Sequence, residues 1–219
     1  MKKKDIEAYQ EKYGMVPNNF FERFNYVLEK ANLKPKELIK LQEGARKLLK
    51  SKWEELDFVI YFTPQSTPRP RSGRGGRFYV KGAADNSNAF KEFITNSEHD
   101  FGIITTAAMF VVDVYLPIPP GMNRVEQILS ELKLIRPIVK PDWDNIGKTY
   151  SDMIQKHLLM EDCTIIDGRT RKFYSAKPRV EINIKYMEKY DCKFHKKKIE
   201  AWKTYKELED KIVERDSIV

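Results

Sequence analysis

Asp142, Asp144, Lys148 and Asp152 stand two, four and four residues apart in a segment that opens Lys140-Pro141-Asp142-Trp143-Asp144-Asn145. Periodicity predicts a helix over 145–159, with Ile146, Tyr150, Met153, Ile154, His157 and Leu158 gathered on one side. Asp144, Lys148 and Asp152 recur every four residues, so they stack along a single face away from that apolar stripe. Just beyond, Glu161 and Asp162 precede the β-branched run Thr164-Ile165-Ile166, which reads as a turn and then a strand starting beside the helix end. A third acidic position is therefore available. Carboxylate oxygens are hard ligands, and a cluster of them without Cys or His suits Mg²⁺ or Mn²⁺, which keep several waters and take phosphate oxygens in the remaining positions. That is the equipment of a metal-dependent phosphodiesterase.

Taken singly, each residue has a simpler reading. Asp142 or Asp144 can cap the helix, its carboxylate accepting orphan backbone N–H groups. Lys148 can be an ordinary i,i+4 salt-bridge partner, with Asp152 its mate. The whole constellation is more specific, and at these residues the sequence resembles the RusA family of Holliday junction resolvases, endonucleases of phages and bacteria that cut four-way DNA junctions. The shared pattern is a D-x-D-N-x-x-K-x-x-x-D helix followed by an acidic pair and a strand, matched by Asp142, Asp144, Asn145, Lys148, Asp152, Glu161 and Asp162. The resemblance implies that Asp142, Asp144 and Asp162 bind the divalent metal and that Lys148 assists cleavage. Asn145, Asp152 and Glu161 then fall into supporting roles, Asn145 orienting a carboxylate or capping the helix. The likeness runs from about Leu56 to Met187; Glu161 stands where an Asp is usual, and both termini extend past the family core.

Elsewhere the chain supplies what such a site would need. Its 219 residues carry 40 Lys and Arg against 32 Asp and Glu, a net charge of +8, which points toward a polyanionic partner. The stretch from Pro64 to Arg77 places Arg69, Arg71, Arg74 and Arg77 among prolines, glycines and serines with no acid. Such a segment buries little apolar area and is expected to be an exposed loop whose guanidinium groups, with Lys140, contact DNA phosphates. The simpler reading is an unstructured surface loop. Cys163 and Cys192 follow no metal spacing and suit a reducing compartment. No apolar run nears the ~20 residues that span a bilayer, and Met1-Lys2-Lys3-Lys4-Asp5 lacks the apolar segment of a signal peptide. No membrane association and a cytoplasmic location are expected.

The elements that must position the site alternate helix and strand. Helices are expected from Asn19, carrying Phe20, Phe24, Val27 and Leu28, and from Pro35, carrying Leu38, Leu41, Ala45 and Leu48. A first strand is read at Phe58–Phe62, a short one at Phe78–Val80, and a helix through Phe90, Phe93 and Ile94. Ala107–Leu116, apolar on nearly both faces and ended by Pro117, Pro119 and Pro120, reads as a central strand. Asn123–Leu134 reads as a helix whose Val125, Ile128, Leu129 and Leu132 serve core or interface. Strands follow at 163–167, 171–174 and 180–186, the last alternating with period two. A charged helix is expected over 195–214.

The expected fold class is α+β, a mixed and largely antiparallel sheet with packed helices, organised as a helical extension over 1–55, an endonuclease domain over 56–187 and a helical tail over 188–219. The expected activity is Mg²⁺-dependent cleavage of branched DNA, the four-way junction above all, in recombination and repair. Two cuts at symmetric positions on a two-fold junction call for a homodimer, which also resembles the family's organisation. Two readings compete: a non-catalytic branched-DNA-binding or architectural protein whose acids only cap helices, and an interaction protein whose basic charge serves solubility.

Overall fold

A computed structural model of the chain describes residues 4, 26, 28–65, 71–73, 76–78, 88–90, 92, 93, 96, 102–155, 157–188 and 195–204. It forms two compact units, one of residues 1–52 with 188–219 and one of residues 53–187. In the first, α1 (Pro35–Leu49) begins with proline at a position that needs no N–H donor, and Glu37 accepts from the Lys34 amide at 2.9 Å. None of its residues is buried, and Ile39, Leu41 and Leu48 are exposed. Residues 195–204 are helical; the rest of the expected tail helix and the helix expected from Asn19 lie outside the described residues, save helical positions 26 and 28–31.

The second unit holds every residue of the expected site. Its main sheet has four strands in the order β1 (Trp53–Ile60), β6 (Arg179–Met187), β4 (Ala108–Pro117), β5 (Ile165–Ser175). The β1–β6 and β6–β4 pairs are antiparallel and β4–β5 is parallel. The fold is thus α+β with a mixed, mostly antiparallel sheet. A second, two-stranded sheet pairs β2 (Arg71–Gly73) with β3 (Gly76–Phe78), so the basic stretch contains a hairpin.

β4 is central because its β-branched and aromatic residues fill both faces. Phe110, Val112, Val114 and Leu116 join Phe58, Ile60, Val180, Ile182 and Ile184 in the core. On the opposite face Asp113 is also buried, and Arg171 satisfies it with two bonds of 2.6 and 2.7 Å. That pairing raises the Arg171 guanidinium above its ordinary value. Phe90 closes one side of the core, and the rings of Phe90 and Phe93 lie 6.0 and 5.5 Å from Phe58.

Several boundaries differ from the sequence expectation, each for a packing reason. β1 starts at Trp53 and stops at Ile60, leaving Tyr61 exposed; Glu55 and Asp57 disguise it, yet both accept from Asn183 Nδ2 on β6 at 2.6 Å. The strands expected at 163–167 and 171–174 are one eleven-residue strand, because the parallel register with β4 runs through Gly168 and Arg169 without a break. α2 (Arg124–Glu131) is capped by Asn123, whose side chain accepts from the Glu126 amide at 3.0 Å. Val125 and Ile128 of this helix and Leu132 just after it are not core: they are exposed, while Ser130 on the other side is fully buried. No helix among the described residues is long and apolar enough to cross a membrane.

Candidate active site

α3 spans Trp143–Ile154, starting two residues earlier and ending five earlier than its apolar pattern suggested. Leu158 and Leu159 continue that pattern but reach the core through a turn, where the Ile154 carbonyl accepts from His157, Leu158 and Leu159 and a bridge joins Leu159 to Ile104. Ile146, Tyr150 and Ile154 are completely buried against the sheet. Burial pushes the Tyr150 phenol well above its ordinary value, which the backbone of Gln65 only partly opposes.

Two contacts set the height of α3 above β5. The Trp143 indole N–H donates to the Thr170 carbonyl at 2.9 Å, and at Gly147 the helix comes so near that a Cβ would sit 2.8 Å from Thr170 Oγ1. Glycine is needed here for closeness of approach.

Asp142 occupies the N-cap, its carbonyl accepting from the Ile146 amide at 3.1 Å, but its carboxylate makes no capping bond. The capping role that sequence allowed for this side chain is therefore absent. Asp144 lies in the first turn, where negative charge is favoured by the helix dipole. Together with Asp162, Trp143, Gly147 and Arg169 it lines a cleft of about 310 Å³ between the helix and β5. Asp162 gets there by opening a short 3-10 turn, Asp162–Thr164, held by the Glu161 carbonyl, which accepts from the Thr164 amide at 3.1 Å and hydroxyl at 2.7 Å. The Glu161 carboxylate itself accepts from Cys163 Sγ at 3.1 Å.

Two carboxylates distant in sequence thus face one cleft. Among the described residues no group of three or more His, Cys, Asp or Glu side chains is arranged to hold a metal ion, so Asp142 does not close a three-carboxylate cage with them. Lys148 is not among the residues lining the cleft; its ammonium pairs with Asp152 at 3.1 Å, both side chains well exposed. Asn145 is half-buried and its carbonyl accepts from the Thr149 hydroxyl at 2.7 Å; Lys140 is exposed. In the basic hairpin Arg71 pairs with Phe78 and Ser72 with Arg77 along the backbone, while Arg69 and Arg74 lie outside the described residues. Sequence reasoning missed Arg169, a residue of the cleft lining whose guanidinium donates to Asp167 at 3.2 Å. Its only signal was an arginine beside a glycine, two residues after an aspartate, in a segment that read as a break between strands.

The family model for endodeoxyribonuclease RusA matches residues 61–185, more than half of the chain and all of the cleft. The chain belongs to the RusA family. RusA proteins are endodeoxyribonucleases of Holliday junctions. A curated relative, the uncharacterized protein YqaN of Bacillus subtilis (strain 168), is 32% identical over 136 residues, covering 59% of this chain and 95% of its own length. About two fifths of this chain lies outside that match.

Proposed function

We propose that this RusA-family nuclease resolves four-way DNA junctions in recombination and repair, in the cytoplasm, by Mg²⁺-dependent hydrolysis of one phosphodiester per active site. The observation that carries this reading is the convergence of Asp144 and Asp162 on one cleft at the N-terminal end of α3. The donor set fits a hard cation. Mg²⁺ keeps several of its waters and binds through one or two carboxylates plus substrate phosphate, so it does not require a cage of three. Asp144 and Asp162 would hold it, with Asp142, two residues before Asp144, as the third carboxylate; Mn²⁺ suits the same oxygens. Such an ion supplies charge neutralisation at the scissile phosphate and a more acidic bound water.

The chain's own residues do the remaining work. Arg169 offers a guanidinium to a phosphate oxygen entering the cleft. Lys148, one turn beyond Asp144 on α3, adds positive charge where the transition state gains negative charge, and Asp152 holds that ammonium in place. Asn145 and Glu161 support the backbone from which Asp144 and Asp162 project. Arg69, Arg71, Arg74, Arg77 and Lys140 bind the DNA backbone without reading sequence. The 1–55, 56–187 and 188–219 segments act as helical extension, nuclease domain and helical tail. A homodimer places two such sites across the two-fold axis of a junction.

Labelled four-way junction, fork and linear duplex, incubated with and without Mg²⁺, test the assignment. Asp142→Asn, Asp144→Asn and Asp162→Asn should each abolish cleavage while leaving junction binding intact. Near-normal cutting by any two of the three would overturn the metal-site assignment, and metal-indifferent binding with no cutting by the parent would favour an architectural protein.

A further inference from the structure

The connection from α2 to α3 ends at Asp142 and contains Pro137 and Pro141, neither of which has an N–H to donate. Among the described residues, three hydrogen bonds tie residues 136–141 to the sheet, and all pass through Lys172 of β5. Arg136 Nε donates to the Lys172 carbonyl at 2.8 Å, and its guanidinium lies over the Phe173 ring, 3.9 Å from the centroid. Lys172 Nζ donates to the Val139 carbonyl at 2.8 Å and to the Pro141 carbonyl at 3.1 Å. Two residues earlier on β5, the Thr170 carbonyl accepts the Trp143 indole N–H. Both chain neighbours of Asp142 are therefore fastened to β5, Pro141 by an ammonium and Trp143 by a carbonyl. The same strand begins directly after the turn that carries Asp162.

We propose that Lys172 is a positioning residue, which holds Asp142 in register with Asp144 and Asp162 by gripping the Val139 and Pro141 carbonyls. This rests on the reading of the three aspartates as the cation-binding set. An ammonium has three donors and no acceptor, so gripping two carbonyls two residues apart in the bend at 139–141 is a fitting use for it. Its position also makes the role separable from plain electrostatics. A positive charge near a cation site opposes cation binding, so deleting the charge alone would tighten affinity. Losing the grip does the reverse, because groups that orient metal ligands are typically worth about 10- to 100-fold in affinity.

Isothermal titration of the full-length protein with Mn²⁺ distinguishes the two signs. Lys172→Met should weaken Mn²⁺ affinity about 10-fold, with an unchanged thermal unfolding midpoint, and Lys172→Arg, which can still donate to both carbonyls, should stay close to the parent. If Lys172→Met gives no cooperative unfolding, Lys172→Gln serves in its place: it removes the charge, shortens the reach and should show the same weakening. Affinity that is equal or tighter in the folded neutral variant overturns the positioning role. Asp144→Asn separates this failure from a failure of the site itself. If it binds Mn²⁺ as the parent does, the aspartate reading falls and the inference with it; if it loses binding while the neutral Lys172 variant does not, the positioning role alone is wrong.

Discussion

Replacing Gly147 by alanine sets two known effects against each other at the point where α3 touches β5. The added Cβ would lie 2.8 Å from Thr170 Oγ1, 0.6 Å short of the 3.4 Å at which ordinary contact begins, and the next atom, Thr170 Cβ, is 4.0 Å away. Alanine in a helix interior gains about 1 kcal/mol over glycine, whereas a forced contact in a packed site costs about 2 kcal/mol. The net expectation is a loss of about 1 kcal/mol, seen as a fall of about 4 °C in the unfolding midpoint. Thr170→Ala removes the offending oxygen, so in that background Gly147→Ala should stabilise by about 1 kcal/mol, a coupling of about 2 kcal/mol. Cleavage follows the same geometry: lifting the helix by a fraction of an ångström moves Asp144 relative to Asp162, and since a 1 Å misplacement can cost about 100-fold, a loss of about 10-fold is expected in single-turnover cutting of a four-way junction. Thr170→Ala should restore most of it. Chemical denaturation of the four proteins of this cycle gives the answer. If Gly147→Ala has the same effect in both backgrounds within about 0.5 kcal/mol, the two residues do not limit each other's approach and the reasoning is wrong.

Lys148→Ala removes an exposed pair with Asp152, so stability should change by less than about 1 kcal/mol while the single-turnover rate falls; an unchanged rate would leave Lys148 a surface salt-bridge residue. Glu55 is held below its ordinary value by the Asn183 amide, against a smaller opposing effect of burial and with help from Lys185. It therefore contributes a small stabilisation that is complete above the usual carboxylate range and lost as pH falls through the depressed value; Asn183→Ala should move its titration upward by NMR, and no movement would remove the amide as the cause. Neutralising Arg69, Arg71, Arg74 and Arg77 together should weaken binding to every DNA shape and flatten the log–log salt dependence by about 0.9 for each DNA phosphate that these arginines neutralise. An unaltered slope would show that the hairpin does not touch DNA.

Local pattern settled much of this protein before any fold was in view. The run of apolar residues in β4, the two-residue alternation of β6 and the four-residue recurrence of Asp144, Lys148 and Asp152 each depend on the chain's own geometry. So does the resemblance to RusA, which rests on acids spaced along one helix. Tertiary structure decided what lies opposite what. Sequence could not say that β6 runs between β1 and β4, because strand order comes from pairings between distant segments. Nor could it merge the polar residues 167–170 into β5, since only the parallel register with β4 shows that this polar run continues the ladder. Helical spacing alone could not separate Leu158 and Leu159, buried through a turn, from a true continuation of α3. The same limit applies at the site. Spacing put Asp144 and Lys148 on one helix face, but only packing against Thr170 aimed Asp144 into a cleft with Asp162 and Arg169, left Lys148 paired in solvent, and tied the backbone before Asp142 to Lys172. A side chain's type and period fix which way it points from its own element; what it meets there depends on elements folded in from elsewhere in the chain.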